Sequence, residues 1–207
     1  MDAITFRFLI GLVVSKMLDV CVMDVFAAYL YGSIDKNIHM KIPEGFTMPE
    51  VFCNEPRSVY SIKLQKSLYG LKQSGQMWYN HLNEYLLKRG FENDEICPCI
   101  FIKKTISGFA IIAVYVDDLN IIGTPEELIE IAIYLKNKFE MKDLGKTKFC
   151  LGIQIEHFSN EIFVYQLMYT EKVLKHFYMD NAHPFNTPIV VRSLDAKKRS
   201  FLTSRRG

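Results

Sequence analysis

Two adjacent aspartates interrupt a long apolar stretch, the segment 113–123 with the sequence AVYVDDLNIIG. β-Branched and aromatic residues flank the pair on both sides, and this composition favours strands. We therefore predict a hairpin with strands at 109–116 and 119–122 and with Asp117 and Asp118 at its turn. Two neighbouring carboxylates repel each other unless a positive charge lies between them. From these residues alone, a solvated hairpin tip and a binding site for a divalent cation are equally favoured.

A third acid, Asp24, ends the apolar segment VCVMD, which we predict to be a short buried strand over residues 19–24. If that strand lies beside the hairpin, Asp24 and Asp117 can together hold two cations. Two cations roughly 3.5–4 Å apart can activate the attacking oxygen and stabilise the leaving oxygen of a phosphoryl transfer. Taken alone, Asp24 is better explained as an ordinary acid at a strand end.

The remaining pattern predicts an α+β chain with mainly antiparallel strands. Helices are expected at 4–18, 74–89, 125–139 and 170–177, and a second hairpin at 149–156 and 161–166. Ser74 is expected to cap the second helix, and Thr124 with Glu127 to form a capping box for the third. The apolar sides of the first two helices are predicted from their spacing: Leu9, Leu12, Val13 and Met17, then Met77, Leu82, Tyr85 and Leu86.

Composition narrows the class of protein. With 207 residues, 49% of them hydrophobic, the chain can bury one sizeable core, and its net charge of +2 does not by itself indicate a nucleic-acid binder. Its five cysteines fit no disulfide framework, and Cys97 and Cys99, separated by one residue, do not have zinc-site spacing. The apolar stretch 6–14 is too short to span a bilayer, so we expect reduced thiols and no membrane partner.

Four segments, in this order, are similar to copia-type retrotransposon Pol polyproteins, and to their plant members in particular. They are MDVFAAYLYGSIDKNIHMKIPEGF (23–46), KLQKSLYGLKQSGQMWYNHL (63–82), VYVDDLNIIGT (114–124) and FEMKDLGKTKFCLGIQIE (139–156). The tetrapeptide YVDD within the third resembles the active-site signature of reverse transcriptases. The resemblance implies the palm of a right-hand polymerase fold, an antiparallel sheet with packed helices. It further implies a palm at 1–166, the start of a thumb at 167–185 and a disordered tail at 186–207, with fingers and thumb truncated.

By the same resemblance, Asp24, Asp117 and Asp118 are the catalytic residues and the ligands of two Mg²⁺ ions, for which Mn²⁺ can substitute. The expected reaction is RNA-directed DNA polymerisation, in which the primer 3′-oxygen attacks the α-phosphate of a dNTP and pyrophosphate leaves. The expected partners are an RNA template, a DNA primer, the dNTP and the rest of a Pol polyprotein. The family's cytoplasmic particles imply a cytoplasmic location.

The resemblance also implies contacts to nucleotide and nucleic acid. Tyr29 resembles the steric gate that excludes a ribose 2′-hydroxyl, and residues 67–75 (SLYGLKQSG) resemble the segment behind the templating base. Without the family, core packing is the favoured explanation of Tyr29, and a solvated surface is the favoured explanation of the lysines. The expected nucleotide-binding residues are Tyr29, Gly70, Lys72, Gln73 and Tyr115, and the expected primer and template residues are Lys66, Leu151 and Gly152, while Lys142 is a candidate proton donor to pyrophosphate.

Some residues depart from the family pattern, notably Gln76 at a usually basic position and Phe26-Ala27 after the first aspartate. Because positioning supplies much of catalysis, a palm without fingers and thumb is expected to polymerise poorly or not at all. The main alternative is a decayed remnant that acts at most as a nucleic-acid-binding or interaction module. A nucleotide cyclase also uses paired acids on metals, but the segment SLYGLKQSG argues against it.

Overall fold

The computed structural model describes residues 1–34, 37–52, 54–105, 108–159 and 161–182. The predicted disordered tail at 186–207 and Asn160, in the turn of the second predicted hairpin, lie outside these residues. The chain divides into two compact units, Met1–Gln166 and Leu167–Gly207. The names palm and thumb for these units remain predictions.

Helices and strands alternate through the first unit, and one helix begins the second. The helices are α1 (Ala3–Lys16), α2 (Ser74–Lys88), α3 (Pro125–Lys138) and α4 (Leu167–His176). The strands are β1 (Asp19–Val25), β2 (His39–Lys41), β3 (Ser61–Lys63), β4 (Glu92–Asn93), β5 (Ile100–Thr105), β6 (Gly108–Tyr115), β7 (Asp118–Gly123), β8 (Met141–Lys146), β9 (Phe149–Cys150), β10 (Ile153–His157) and β11 (Ile162–Tyr165). None of the helices within the described ranges is long and apolar enough to cross a membrane.

A six-stranded sheet in the order β4-β5-β6-β7-β1-β8 forms the centre of the first unit. Every neighbouring pair in it is antiparallel, as the sequence predicts. Two smaller sheets, β11-β10-β9 and β2-β3, accompany it. The architecture is therefore a mixed α/β one with antiparallel sheets and packed helices.

Both faces of the central sheet are covered, which explains the unbroken apolar run of β6. Side chains of a strand alternate between the two faces, and along β6 Ile112 and Val114 join one buried cluster while Ile111 and Ala113 join another. The first cluster includes residues of α2 and α3. The second includes residues of α1, β9 and β10. The central strands are thus held from both sides, which fixes the ends that carry the aspartates.

The predicted cap of α2 is wrong, and the predicted cap of α3 is confirmed only in its position. The N-cap of α2 is Gln73, and Ser74 lies buried inside the helix with its hydroxyl donating to the Leu68 carbonyl at 2.6 Å. Thr124 is the N-cap of α3, but its hydroxyl makes no capping hydrogen bond and is buried without a partner. In α2 the Ser74 hydroxyl thus binds the preceding loop instead of capping the helix.

The predicted buried sides of the helices are right only in part. In α1, Leu9 and Val13 are buried as predicted, but Phe6 and Ile10 complete the buried face, and Met17 is 95% exposed as the C-cap with a φ of 53°. In α2 the buried residues include Trp78 with Leu82 and Leu86, while Met77 and Tyr85 are only partly covered.

The second hairpin also differs from its prediction. The strand expected at 149–156 is broken at Leu151 and Gly152, whose φ angles of 52° and 77° turn the chain so that β9 pairs back onto β10. Strand β8 was not predicted, because its sequence MKDLGK is polar and five of its six residues are exposed. An edge strand of this kind carries no alternation of apolar residues for a sequence pattern to detect.

Candidate active site

The three predicted aspartates meet where β1 and the β6–β7 hairpin end side by side. Asp24 on β1 pairs directly with Asp118 on β7, and on its other side with Lys142 on β8. Asp117 lies in the two-residue turn that joins Tyr115 to Asp118. The register thus brings together the residues that the sequence could place only conditionally.

The turn differs in one residue from the prediction. Its two central residues are Val116 and Asp117, whereas Asp118 already belongs to β7. Val116 has a φ of 54°, in the left-handed region that β-branched residues rarely adopt. The turn is fixed by two hydrogen bonds: Trp78 Nε1 donates to the Val116 carbonyl at 2.8 Å, and the Val25 amide donates to the Asp117 carbonyl at 2.9 Å. Trp78 is buried, so α2 directly braces the hairpin tip.

The electrostatics of the pair follow from burial and mutual repulsion. Burial raises the pKa of Asp118, and the charges of Asp24 and Asp117 raise it further. Burial also raises the pKa of Asp117, as does Asp24, while a hydrogen bond from Tyr69 acts in the opposite direction. The three carboxylates therefore interact with one another, and a cation between them would relieve the repulsion.

The donor chemistry suits a hard divalent cation, although the side chains form no closed cage. Three carboxylates offer the oxygen ligands that Mg²⁺ prefers, and such sites usually take their remaining ligands from water and substrate phosphates. Within the part of the chain that the structure describes, no three His, Cys, Asp or Glu side chains are gathered closely enough to hold a metal ion. At Asp117, Oδ1 accepts a hydrogen bond from the Tyr69 hydroxyl at 2.9 Å.

Tyr69 is the residue of this site that sequence reasoning missed. Its ring stacks on Tyr29 with centroids 4.3 Å apart, and its hydroxyl binds Asp117. Burial and the hydrogen bond to Asp117 raise the pKa of Tyr69 to about 12, so it donates as a neutral phenol. The only signal available was its place within the quoted segment SLYGLKQSG, beside Gly70.

Tyr29 lies on a short 3₁₀ helix, Ala28–Tyr31, that follows β1. The Ser67 hydroxyl donates to the Tyr29 carbonyl, and this hydrogen bond ties the helix to the loop that carries Tyr69. The structure thereby connects Tyr29 to the aspartates through the stacked ring of Tyr69.

The other residues expected to bind nucleotide lie in the loop before α2 and at the end of β6. Gly70 has a φ of 95°, a conformation that favours glycine, and it turns the chain towards α2. Lys72 is exposed, and Gln73 is the N-cap of α2 without a side-chain capping bond. Tyr115 is 42% exposed at the end of β6, directly paired with Asp118.

The residues expected to contact primer and template lie in other parts of the unit. Lys66 is exposed, and its backbone forms an isolated antiparallel β-bridge with Ser33. It also lines a cavity together with Phe26 and Tyr31. Leu151 and Gly152 form the turn between β9 and β10, in the three-stranded sheet rather than the central one. Leu151 and Gly152 therefore belong to a different sheet from the three aspartates.

Comparison with known proteins gives one family and several relatives. Residues 2–191 match the model of the family described as reverse transcriptase (RNA-dependent DNA polymerase). The retrovirus-related Pol polyprotein from transposon TNT 1-94 of Nicotiana tabacum is 35% identical over 187 residues, which are 88% of this chain and 14% of the relative. The corresponding polyprotein from transposon RE1 of Arabidopsis thaliana is 30% identical over 88% of this chain and 12% of the relative.

A putative transposon Ty5-1 protein of Saccharomyces cerevisiae is 37% identical over 139 residues, 67% of this chain and 43% of the relative. The chain thus spans less than half the length of each of these relatives. No solved structure matches it.

Proposed function

We propose a catalytic role from one premise: the chain belongs to the reverse transcriptase (RNA-dependent DNA polymerase) family. It resembles the reverse transcriptase domain of plant copia-type Pol polyproteins over most of its length. The proposed function is RNA-directed DNA polymerisation by two-metal nucleotidyl transfer. The observation that carries it is the pairing of Asp24 with Asp118, next to Asp117 in the adjoining turn.

In this proposal the first unit is a polymerase palm. Its antiparallel central sheet, with helices on its faces, holds the catalytic acids at the ends of β1 and β7. The bracing of the turn by Trp78 and Val25 supports this reading, because catalytic groups must be held rigidly to be effective.

Asp24, Asp117 and Asp118 are the proposed ligands of Mg²⁺, with Mn²⁺ as a substitute. Two such ions would supply charge stabilisation for the attacking and leaving oxygens. The contribution of the chain itself is to hold three carboxylates at one edge, with Lys142 beside Asp24 as the candidate proton donor to pyrophosphate.

The proposed dNTP site lies around the stacked pair Tyr29 and Tyr69. Tyr29 is the proposed steric gate against a 2′-hydroxyl, and Tyr69 orients Asp117 through its hydroxyl. Gly70, Lys72, Gln73 and Tyr115 complete the proposed nucleotide contacts. Lys66, Leu151 and Gly152 are the proposed contacts to RNA template and DNA primer. We also propose that the chain works with the rest of a Pol polyprotein and that its location is cytoplasmic.

Primer extension on a poly(rA)–oligo(dT) template with Mg²⁺ tests the activity. We expect slow incorporation of dTMP that Asp117→Asn abolishes, because that variant removes one charged ligand and keeps the shape of the side chain. Asp19→Asn, at the opposite end of β1, is the matched control and should leave incorporation unchanged.

The opposite outcome favours the alternative function. If neither the wild-type chain nor the control incorporates dTMP, while the wild-type chain binds the duplex in a salt-sensitive way, the chain is a nucleic-acid-binding remnant. Cyclic product formation from ATP or GTP alone would instead indicate a cyclase.

A further inference from the structure

A turn outside the aspartate site brings two thiols into contact. Cys97 and Cys99 flank Pro98, and their sulfur atoms lie 3.1 Å apart. Both thiols are free and partly exposed, and the proposed polymerase chemistry uses neither. A disulfide bond requires the sulfurs to close to about 2.05 Å, so only a small movement separates this pair from a disulfide.

The backbone before the two cysteines is firmly held. The Asp94 carboxylate accepts hydrogen bonds from the amides of Ile96 at 3.1 Å and Cys97 at 2.7 Å. The Cys97 carbonyl in turn accepts from the amide of Ile100 at 2.8 Å. These bonds close a tight turn around Cys97 and fix the direction in which its side chain leaves the backbone.

The backbone after Cys97 is anchored to the protein core. The Pro98 carbonyl accepts hydrogen bonds from the Tyr79 hydroxyl and from Asn93 Nδ2, both at 2.8 Å. The Cys99 carbonyl accepts from the amide of Val114 on β6 at 2.9 Å. The two thiols are therefore preorganised, and little conformational entropy remains to be lost when they react with each other.

The two other described cysteines lack this arrangement. Burial raises the pKa of Cys21 and of Cys150 to about 11 each, which leaves both largely as unreactive thiols. Burial also raises the pKa of Cys99, and its hydrogen bond with Cys97 contributes to this rise. The Cys97 sulfur lies 3.1 Å from that of Cys99 and 3.8 Å from the Thr5 hydroxyl.

We propose that Cys97 and Cys99 form a redox-active dithiol, which a low-molecular-weight disulfide such as oxidised glutathione converts to an intramolecular disulfide. The Cys97 thiolate attacks one sulfur of the oxidant, and the first glutathione leaves as a thiol. The Cys99 thiolate then attacks the mixed disulfide, and the second glutathione leaves. The two cysteine protons end on the two glutathione thiols, so one disulfide is exchanged for another.

The resulting ring contains a single intervening residue, Pro98. Short, strained and partly exposed disulfides are easily reduced, which is typical of labile and regulatory disulfides rather than structural ones. The site is therefore a reversible modification site, and an excess of reduced glutathione restores the dithiol.

Intact-protein mass spectrometry after incubation with oxidised glutathione tests the proposal. The background carries Cys53→Ser, so that a thiol outside the described residues does not contribute. We expect the chain to lose two hydrogens and to retain no glutathione, with peptide mapping that places the bond between Cys97 and Cys99. Cys97→Ser and Cys99→Ser should each lose this product and instead retain one glutathione, whereas the control Cys21→Ser should form the internal disulfide normally.

A second probe does not depend on the Cys97→Ser and Cys99→Ser variants remaining folded. Phenylarsine oxide bridges two adjacent thiols, and we expect it to bind once to the chain with Cys53→Ser and to block closure of the disulfide. A stable glutathione adduct on that chain, a disulfide between two chains, or thiols that remain fully alkylatable after oxidant treatment would each overturn the proposal.

Discussion

At the scale of single residues, the site consists of three carboxylates that repel one another and a tyrosine that donates a hydrogen bond to one of them. Burial and the charges of Asp24 and Asp117 raise the pKa of Asp118. At Asp117, a hydrogen bond from Tyr69 partly offsets the rise in pKa that burial and Asp24 cause. The sequence predicted the aspartates because acids are unexpected at the ends of apolar strands. It did not predict the Tyr69–Asp117 bond, because 48 positions separate these residues and only the fold brings them together.

The raised pKa of Asp118 predicts the direction in which the stability of the fold changes with pH. The pKa of Asp118 is near 3.8 in the unfolded chain and higher in the folded chain, which therefore binds the proton more tightly. The free energy of unfolding consequently falls as the pH rises from the unfolded pKa through the folded pKa. Asp118→Asn removes this cost. In chelator and without divalent cations, we expect the variant to unfold at higher urea concentration than the wild type at pH 7, with the difference lost below about pH 3.

Asp143 provides a control of opposite sign. The Gly145 amide and Lys136 lower the pKa of Asp143, so its charged form stabilises the folded chain above the ordinary aspartate pKa. Asp143→Asn should therefore lower the urea midpoint at pH 7, and the loss should shrink as the pH falls. Equal effects of the two substitutions would show that the charges of the aspartate site do not oppose folding.

At the scale of elements, the hairpin and the first strand were predictable and the edges of the sheet were not. Residues 109–122 and 19–24 carry dense β-branched and apolar runs because the central strands are buried on both faces. Strand β8, which pairs with Asp24 through Lys142, is polar and exposed and carries no such signal. The Ser74 cap failed because its hydroxyl donates to the Leu68 carbonyl of the preceding loop. Thr124 is the N-cap of α3 as predicted, but its hydroxyl makes no capping hydrogen bond.

The turn that carries Asp117 stores backbone strain at Val116. A left-handed conformation costs a non-glycine residue roughly 1–2 kcal/mol, whereas glycine adopts it freely. Part of the stability that a glycine would gain here is offset, because glycine has more conformational freedom to lose from the unfolded chain. Val116 is 39% exposed, so little packing is lost on its removal. We expect Val116→Gly to raise the free energy of unfolding by about 0.5–1 kcal/mol in urea titrations.

Val116→Ala is the matched control, because alanine shortens the side chain but keeps the Cβ atom that opposes a positive φ. It should give no gain in stability. A glycine variant no more stable than the alanine variant would mean that the turn is not strained at this residue.

At the scale of the whole molecule, one family accounts for nearly the entire described fold. The family model covers residues 2–191, yet the chain spans only 14% of its tobacco relative, so the activity proposed here is that of a domain. The first unit contains both buried clusters and all three aspartates of the proposed site. The proposed polymerase function therefore depends on whether Asp24, Asp117 and Asp118 act together as a metal site.

The measurement that tests this most directly is Mn²⁺ binding, followed by the electron paramagnetic resonance signal of the free ion. Asp24→Asn removes a carboxylate from the site, and Asp19→Asn removes one from the opposite end of the same strand. We predict that Asp24→Asn weakens Mn²⁺ binding by roughly tenfold or more, since even outer-shell partners of metal sites contribute 10–100-fold. Asp19→Asn should bind as the wild type does. Equal Mn²⁺ affinities in the wild type and both variants would contradict the account.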